Sequence, residues 1–426
     1  MRAGGSHGSV RRITSRIVIL FILRSMRSPA IVLFLVLSLP AAAEKSDAIT
    51  SEVVLTFPAA TGARGPVNVS GAVGPHHVVS ASRSGVVIQN RSGAVLASYT
   101  LQQFFELPAP AQDGLRPRVV YDATADRWIA VAHSRRLAVS QSGDPAGEWR
   151  RYSLSTTVGV AGDYSNLVLT DDLIVIAADD AGNPFDFFSR PATLITTVKK
   201  SDLYAMPATL PIQWHAPADG DRLLVPVAGE SNVTYLLDYT ERLLLNRLDT
   251  IAQPWMVVPH LPLFGRRELI ETAVEKNGWI YLAKTLQLIP PRVAIVWGRF
   301  HPETGVVESG VILPEIFGAY LHPSLAVNDR GVMVIGFSMD SPAMPWSAGY
   351  IVRDPSGTVS EPVIIAEGDS VPVQTPASFG RYTATVVDPI DDSVFWTVQM
   401  RAKDGGWETV WAKIETASLR RRTVRK

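Results

Sequence analysis

The sequence predicts an all-β fold: a seven-bladed β-propeller whose ring is closed by an N-terminal strand pairing with the last blade. Three observations carry this expectation. One strand–turn–strand sentence recurs, as RVVYDATADRWIAVAH from Arg118, SNLVLTDDLIVIAAD from Ser165, HPSLAVNDRGVMVIGF from His322 and RYTATVVDPIDDSVFWTVQM from Arg381. Corresponding starts fall near residues 76, 118, 165, 215, 271, 322 and 382, a spacing of about 40 to 60 residues that suits four short strands per unit. Helical periodicity of any length is missing, and the apolar stretch 252–275 is broken by Pro254, Pro259 and Pro262.

Taken in order, residues 1–43 read as a secretory signal peptide. Six arginines and no acidic residue precede the apolar run Ala30–Leu39, and Ala41 and Ala43 supply the small residues of a cleavage site before Glu44. Met26 offers a second start that leaves a signal of ordinary length. Arg24 and Arg27 interrupt the run 17–39, which argues against a retained anchor. The expected location is therefore secreted or periplasmic, with no stable membrane span after cleavage. Cleavage removes six of the 40 basic residues and none of the 40 acidic ones, leaving a net charge of −6. A mildly acidic chain has no general electrostatic attraction for nucleic acid. Cysteine is absent, which excludes disulfides, thiolate metal sites and a cysteine nucleophile.

Residues 44–75 are a lead-in containing one strand, Glu52–Pro58 (EVVLTFP). The propeller spans 76–415, and a basic tail, 416–426, follows it. The first unit is read from His77, the second from Arg118, the third from Ser165 and the fourth from Ile212. The fifth starts at Leu269, the sixth at Pro323 and the seventh at Tyr382. The inner strands read as nearly continuous apolar runs, such as LIVIAA and GVMVIGF, as sheets buried on both faces require. The seventh unit shows three strands, and the orphan strand 52–58 supplies the fourth, protecting two edges at once.

A propeller's binding surface is the face where its inner strands start. The polar residues at those starts are His76, Arg118, Asp163, Tyr164, His215, Glu271, His322, Arg381 and Tyr382. Their convergence points to a glycan or protein ligand at the channel mouth, without chemistry. The aspartates from Asp163 to Asp186, with the loop DDAGN, offer hard oxygens suited to Ca2+. They lack EF-hand spacing, and turn aspartates commonly cap their own backbone. No cofactor is therefore expected.

Several stretches resemble the exported bacterial sialidase-like propellers of the BNR, or Asp-box, type, most of which have no assigned activity. They are GAVGPHHVVSASRSGVVIQNRSGAVL, RPRVVYDATADRWIAVA with LAVSQSGDPAGEWRRYS, GDYSNLVLTDDLIVIAA, and FGRYTATVVDPIDDSVFWT with VWAKIE. Ser142 to Trp149 (SGDPAGEW) resembles the Asp-box hairpin, with one extra residue before the glycine and Glu148 in place of Thr. The resemblance implies that its Ser and Asp tie a turn while its Trp packs between blades. It also implies an alternative function, a glycoside hydrolase or lyase using the same face. Such an enzyme uses an arginine cluster, a tyrosine–glutamate pair and an aspartate acid, types supplied by Arg118, Arg381, Tyr382, Glu271 and Asp163. Gly380-Arg381-Tyr382 departs from the family's Gly-Asp-Tyr, and no catalytic spacing motif is matched.

Overall fold

Short apolar runs separated by polar turns fold this chain into successive antiparallel meanders. The computed structural model describes residues 49–62, 68–107, 116–132, 136–154, 165–180, 192–215, 224–231, 233–238, 243–250, 256–258, 270–288, 292–315, 317–370 and 383–418. All lie in one compact unit, Asp47–Lys426. The predicted signal peptide and the end of the basic tail fall outside the described residues.

The first sheet comprises Ser70–Val73, His77–Ser82, Gly85–Asn90 and Val95–Tyr99, and the second Pro117–Asp122, Arg127–Ala132, Arg136–Ser140 and Trp149–Ser153. The third comprises Ser165–Leu169, Leu173–Asp180, Ala192–Lys199 and Gln213–His215. Leu224–Pro226, Tyr235–Asp238, Leu244–Arg247 and Met256–Val257 form the fourth. The fifth (Thr272–Lys276, Trp279–Gln287, Val293–Phe300, Val307–Ile312) and the sixth (Ala319–Val327, Met333–Ser341, Met344–Arg353, Val363–Ala366) are joined by one parallel pair, Val293 with Ala319. The seventh is Ala384–Val387, Val394–Lys403, Gly406–Ser418 and, on its outer side, Ile49–Gly62.

Local chemistry explains the turns. Asn277-Gly278 and Asp404-Gly405 each adopt two successive positive φ values, 53° and 75°, and 51° and 73°. That is the backbone of a two-residue hairpin whose twist matches its flanking strands. The first strand of each sheet lies against the first strand of the next, and that of the seventh lies against that of the first. Apolar layers fill the gaps between neighbouring sheets. Trp128, Phe104 and Trp149 pack between the first and second, and Tyr281, Trp297, Leu325 and Phe337 between the fifth and sixth. Among the described residues no helix is long and apolar enough to cross a membrane.

Several boundaries differ from the sequence reading; the sixth inner strand starts at Ala319 rather than Pro323, which makes His322 its fourth residue. Ser70–Val73, within the predicted lead-in, is the inner strand of the first sheet. Its sequence, SGAV, carries little strand signal because glycine weakens a strand, but here it permits a close approach. A Cβ on Gly71 would sit 2.4 Å from the Trp411 ring. The segment ending at His215, read as the start of the fourth unit, is the outer strand of the third, pairing with residues 195–197. Three residues flanked by loops do not declare which neighbour they join, and here the free edge of Ala192–Lys199 takes them.

The strand predicted over 52–58 runs over Ile49–Gly62 and pairs antiparallel with the last strand, from Ile49 opposite Ser418 to Gly62 opposite Trp407. Its side chains alternate, and Phe57 and Ala59 turn inward. Pro58 is tolerated because it lies on an edge at a register shift. Beneath this pairing Trp411 is fully buried, and its Nε1 donates to Ser80 Oγ of the first sheet at 2.7 Å. Trp396 is equally buried, and its Nε1 donates to Asp388 Oδ2 at 2.8 Å.

Trp411→Ala removes one of the largest side chains in the core shared by the first and seventh sheets. It is expected to lower the unfolding free energy by about 3–5 kcal/mol. Val95→Ala, at a side chain 60% exposed, should change it by no more than about 0.5 kcal/mol. Urea titration of both variants checks the difference.

Candidate functional site

The two ends of the inner strands have different chemistry. Where these strands finish, a cavity of about 680 Å³ is lined by residues from all the sheets, among them Asp122, Asp171, Glu230, Glu275, Asp329 and Asp388. Most of these carboxylates are committed to the fold. Asp122 Oδ1, Asp388 Oδ1 and Glu275 Oε1 each accept from a backbone N–H of their own turn, at 3.0, 2.8 and 3.1 Å. Asn328 does the same for Val332 at 2.8 Å. This capping is why the turn after each inner strand so often opens with Asp or Asn.

The remaining oxygens tie sheet to sheet. Asp122 Oδ2 accepts from Tyr204 and Lys200, on the short helix Lys200–Tyr204 that follows the third strand of the third sheet, at 2.5 and 3.0 Å. Lys276 of the fifth sheet bonds Glu230 on one side at 2.8 Å and Asp329 on the other at 2.6 Å. Arg330 reaches Asp392 at 3.2 Å, and Arg91 of the first sheet pairs with Asp388 of the seventh. Burial alone would raise the Asp122 carboxyl, but donation from Thr124, Tyr204 and Lys200 outweighs it and holds the group below the usual carboxylate range.

At the opposite end, where the inner strands begin, the structure joins two of the residues singled out by sequence. Glu271 immediately precedes the fifth inner strand, and its Oε1 meets His322 Nδ1 of the sixth at 2.6 Å. Glu271 Oε2 accepts from both the backbone N–H and the hydroxyl of Thr285, at 2.8 and 2.9 Å. The His322 backbone N–H donates to Thr285 Oγ1 at 3.0 Å, and the Thr383 hydroxyl donates to the His322 carbonyl at 3.1 Å.

His322 is held in an uncommon state. Its φ is +56°, left-handed for a bulky residue that also precedes a proline. The register shift between Leu321 and Ser324 takes it out of the ladder with its partner strand. Its side chain is 9% exposed, and Nε2 has no hydrogen-bond partner among the described residues.

The other predicted site residues are distributed differently. Arg118 is the second residue of the second inner strand and is buried. His76 does not stand at the start of an inner strand; it is exposed in the turn after Ser70–Val73, at the far end. His215 lies on the outer strand of the third sheet, where Nε2 bonds Thr197 Oγ1 at 3.1 Å and burial lowers its pKa. Both histidines were misplaced by the shifted unit boundaries. Asp163, Tyr164, Arg381 and Tyr382 lie outside the described residues, as does the DDAGN loop beyond Asp180. Among the described residues no group of three His, Asp or Glu side chains is arranged to hold a metal ion.

Sequence reasoning missed Thr285 and Asp340. Thr285 is a polar residue in the apolar run WIYLAKTLQ, the one signal available. Asp340 lies beside the start of the sixth inner strand, where burial raises its carboxyl and the Ala319 N–H donates to it at 2.7 Å. The SGDPAGEW hairpin has the turn bonds and tryptophan packing that the resemblance implies. Ser142 Oγ and Asp144 Oδ1 accept from N–H groups within the turn, at 3.3 and 2.9 Å. Trp149 packs edge-on against Phe104, 4.9 Å between centroids.

No family model matches this chain, and no curated protein matches it. Among solved structures it is similar to BamB from Moraxella catarrhalis, at 12% identity and a TM-score of 0.41, covering 85% of this chain and 100% of that one. It is similar to the GH93 α-L-arabinofuranosidase of Fusarium graminearum at 10% identity and a TM-score of 0.44, covering 73% and 96%. A Trypanosoma rangeli sialidase mutant gives 12% identity and a TM-score of 0.39 over 78% and 57%. Likenesses this distant say nothing about ligand or chemistry.

The depressed Asp122 carboxyl contributes stability that is present above the unfolded value of about 3.9 and is lost as pH falls through the folded one. Lys200→Met should cost about 1–3 kcal/mol at neutral pH. The cost should shrink as Asp122 protonates. Urea unfolding of both proteins as a function of pH tests the convergence.

Proposed function

We propose that this chain is an exported, seven-bladed β-propeller that binds a glycan or a partner protein at the mouth where its inner strands begin, without chemistry of its own. The succession of four-stranded meanders supports the propeller. So does the contact of each inner strand with the next and of the seventh with the first. Ile49–Gly62, on the outer side of the seventh sheet, is the strand that closes the ring. Export rests on the order of charge, apolar run and small residues in 1–43.

The observation that carries the binding site is His322. A left-handed backbone at a non-glycine residue costs about 1–3 kcal/mol. A buried nitrogen without a partner costs about 1–3 kcal/mol more. The bonds of the His322 backbone to Thr285 and Thr383 offset part of the first cost, and a ligand group bonded to Nε2 offsets the second. Arg118 belongs to the same mouth in this reading, to which the sequence also assigns Asp163, Tyr164, Arg381 and Tyr382. His76 and His215 leave it. No cofactor is invoked.

Glycoside hydrolysis is the weaker reading. It needs an acid and a second group free to reach the sugar, whereas both oxygens of Glu271 are engaged by His322 and Thr285.

A glycan array probed with the chain from Glu44 onward, followed by turnover assays on each hit, tests the proposal. Bound glycans should be released unchanged. His322→Asn, a residue that tolerates the left-handed backbone, should weaken binding at least about tenfold. Cleaved product would overturn the non-catalytic reading, unaltered binding by the variant would remove the site from this mouth, and a blank array would remove the glycan.

A further inference from the structure

The bonds linking Glu271, Thr285 and His322 place a proton on Nδ1. Thr285 has a single hydroxyl proton, and the backbone N–H and hydroxyl of this residue both point at Glu271 Oε2. Its oxygen is then left to accept from the His322 N–H, as the 3.0 Å separation shows. Glu271, an acceptor on Oε2, meets Nδ1 through Oε1 at 2.6 Å. An ionised carboxylate only accepts, so Nδ1 carries a proton, and in the neutral ring Nε2 then presents a lone pair. That lone pair belongs to a buried nitrogen with no partner.

We infer that His322 Nε2 is a fixed hydrogen-bond acceptor for an uncharged, hydroxyl-bearing ligand, a neutral glycan, with Glu271 and Thr285 as its positioning residues. The inference rests on the binding reading above and names its ligand class. Carboxylated and sulfated sugars are disfavoured, because they would bring negative charge against a lone pair backed by a carboxylate. An ammonium group would shed its water at a site whose carboxylate is already bonded to three donors, a desolvation cost that a hydroxyl largely avoids. Sugar hydroxyls supply the donor the nitrogen lacks. The ring is held by Glu271, and the His322 backbone by Thr285 of the fifth sheet, by the bulge of the sixth and by Thr383, just before the seventh. Such immobilisation lets one atom read a ligand group without an ordering cost on binding.

The test begins with the free protein. The chain has eight histidines, so 15N-histidine labelling with His322→Asn as the assignment control isolates one ring. At neutral pH His322 should show a pyrrole-type Nδ1 and a pyridine-type Nε2. Glu271→Gln, whose amide can donate to Nδ1, should move the proton to Nε2. An Nε2–H ring or an imidazolium in the wild type would overturn the proton assignment. On an array carrying neutral, amino-sugar, sialylated and uronate glycans, hits should be neutral and should weaken at least about tenfold in Glu271→Gln. Hits confined to charged sugars would overturn the ligand class. The expected tautomer with a blank array overturns the binding reading, and the class with it. The wrong tautomer with neutral hits overturns this inference alone.

Discussion

The antiparallel ladder between Ile49–Gly62 and Gly406–Ser418 is the interaction on which the rest of the structure depends. Without it the last strand would present a long unpaired edge, and the first and seventh sheets would lose Phe57 from their shared core. Joining segments more than 340 residues apart costs little more than joining nearer ones, because loop-closure entropy grows only logarithmically with length. The gain is local and large. Trp396 and Trp411 are sealed between sheets, and each donates its indole N–H to a buried acceptor. Gly71 is the matching concession in the first sheet, where any side chain would meet the Trp411 ring.

With the sheets held in succession, the two ends of the inner strands take different roles. At the finishing end, charge is spent on architecture. Lys276 bridges three sheets, Asp122 gathers a lysine, a tyrosine and a threonine, and Asp388 serves a turn, an arginine and a tryptophan at once. The cavity there is wide and rich in carboxylates, yet most of those carboxylates already have partners. At the starting end the balance reverses. His322 is strained, buried and incompletely bonded, and its neighbours orient it without satisfying it. Unspent hydrogen-bonding capacity is the better mark of a binding site than the larger volume or the greater charge.

Much of the fold was legible because its signals are local. Alternation and turn chemistry in RVVYDATADRW, LVLTDDL and TVVDPIDDS announce a hairpin, since Asp and Asn cap the backbone that follows them. EVVLTFP was visible as a strand without a partner. SGAV was not visible, because its value lies in the space its glycine leaves for Trp411, a residue far along the chain. Missing that strand displaced His76, and assigning Gln213–His215 to the wrong neighbour displaced His215. Glu271 and His322 were legible as polar residues near strand starts. Their pairing was not, because it depends on a bulge and on Thr285 from an adjacent strand.

The closing ladder can be examined directly, since the chain contains no cysteine to interfere. Glu52 and Glu415 face one another in the register, both on the outer side. The double variant Glu52→Cys, Glu415→Cys should oxidise to a single intramolecular disulfide in the folded protein and raise its unfolding temperature. Failure to form that bond, or equal bonding when the second cysteine is moved one residue to Ile414, would contradict the ladder and the ring closure proposed from it.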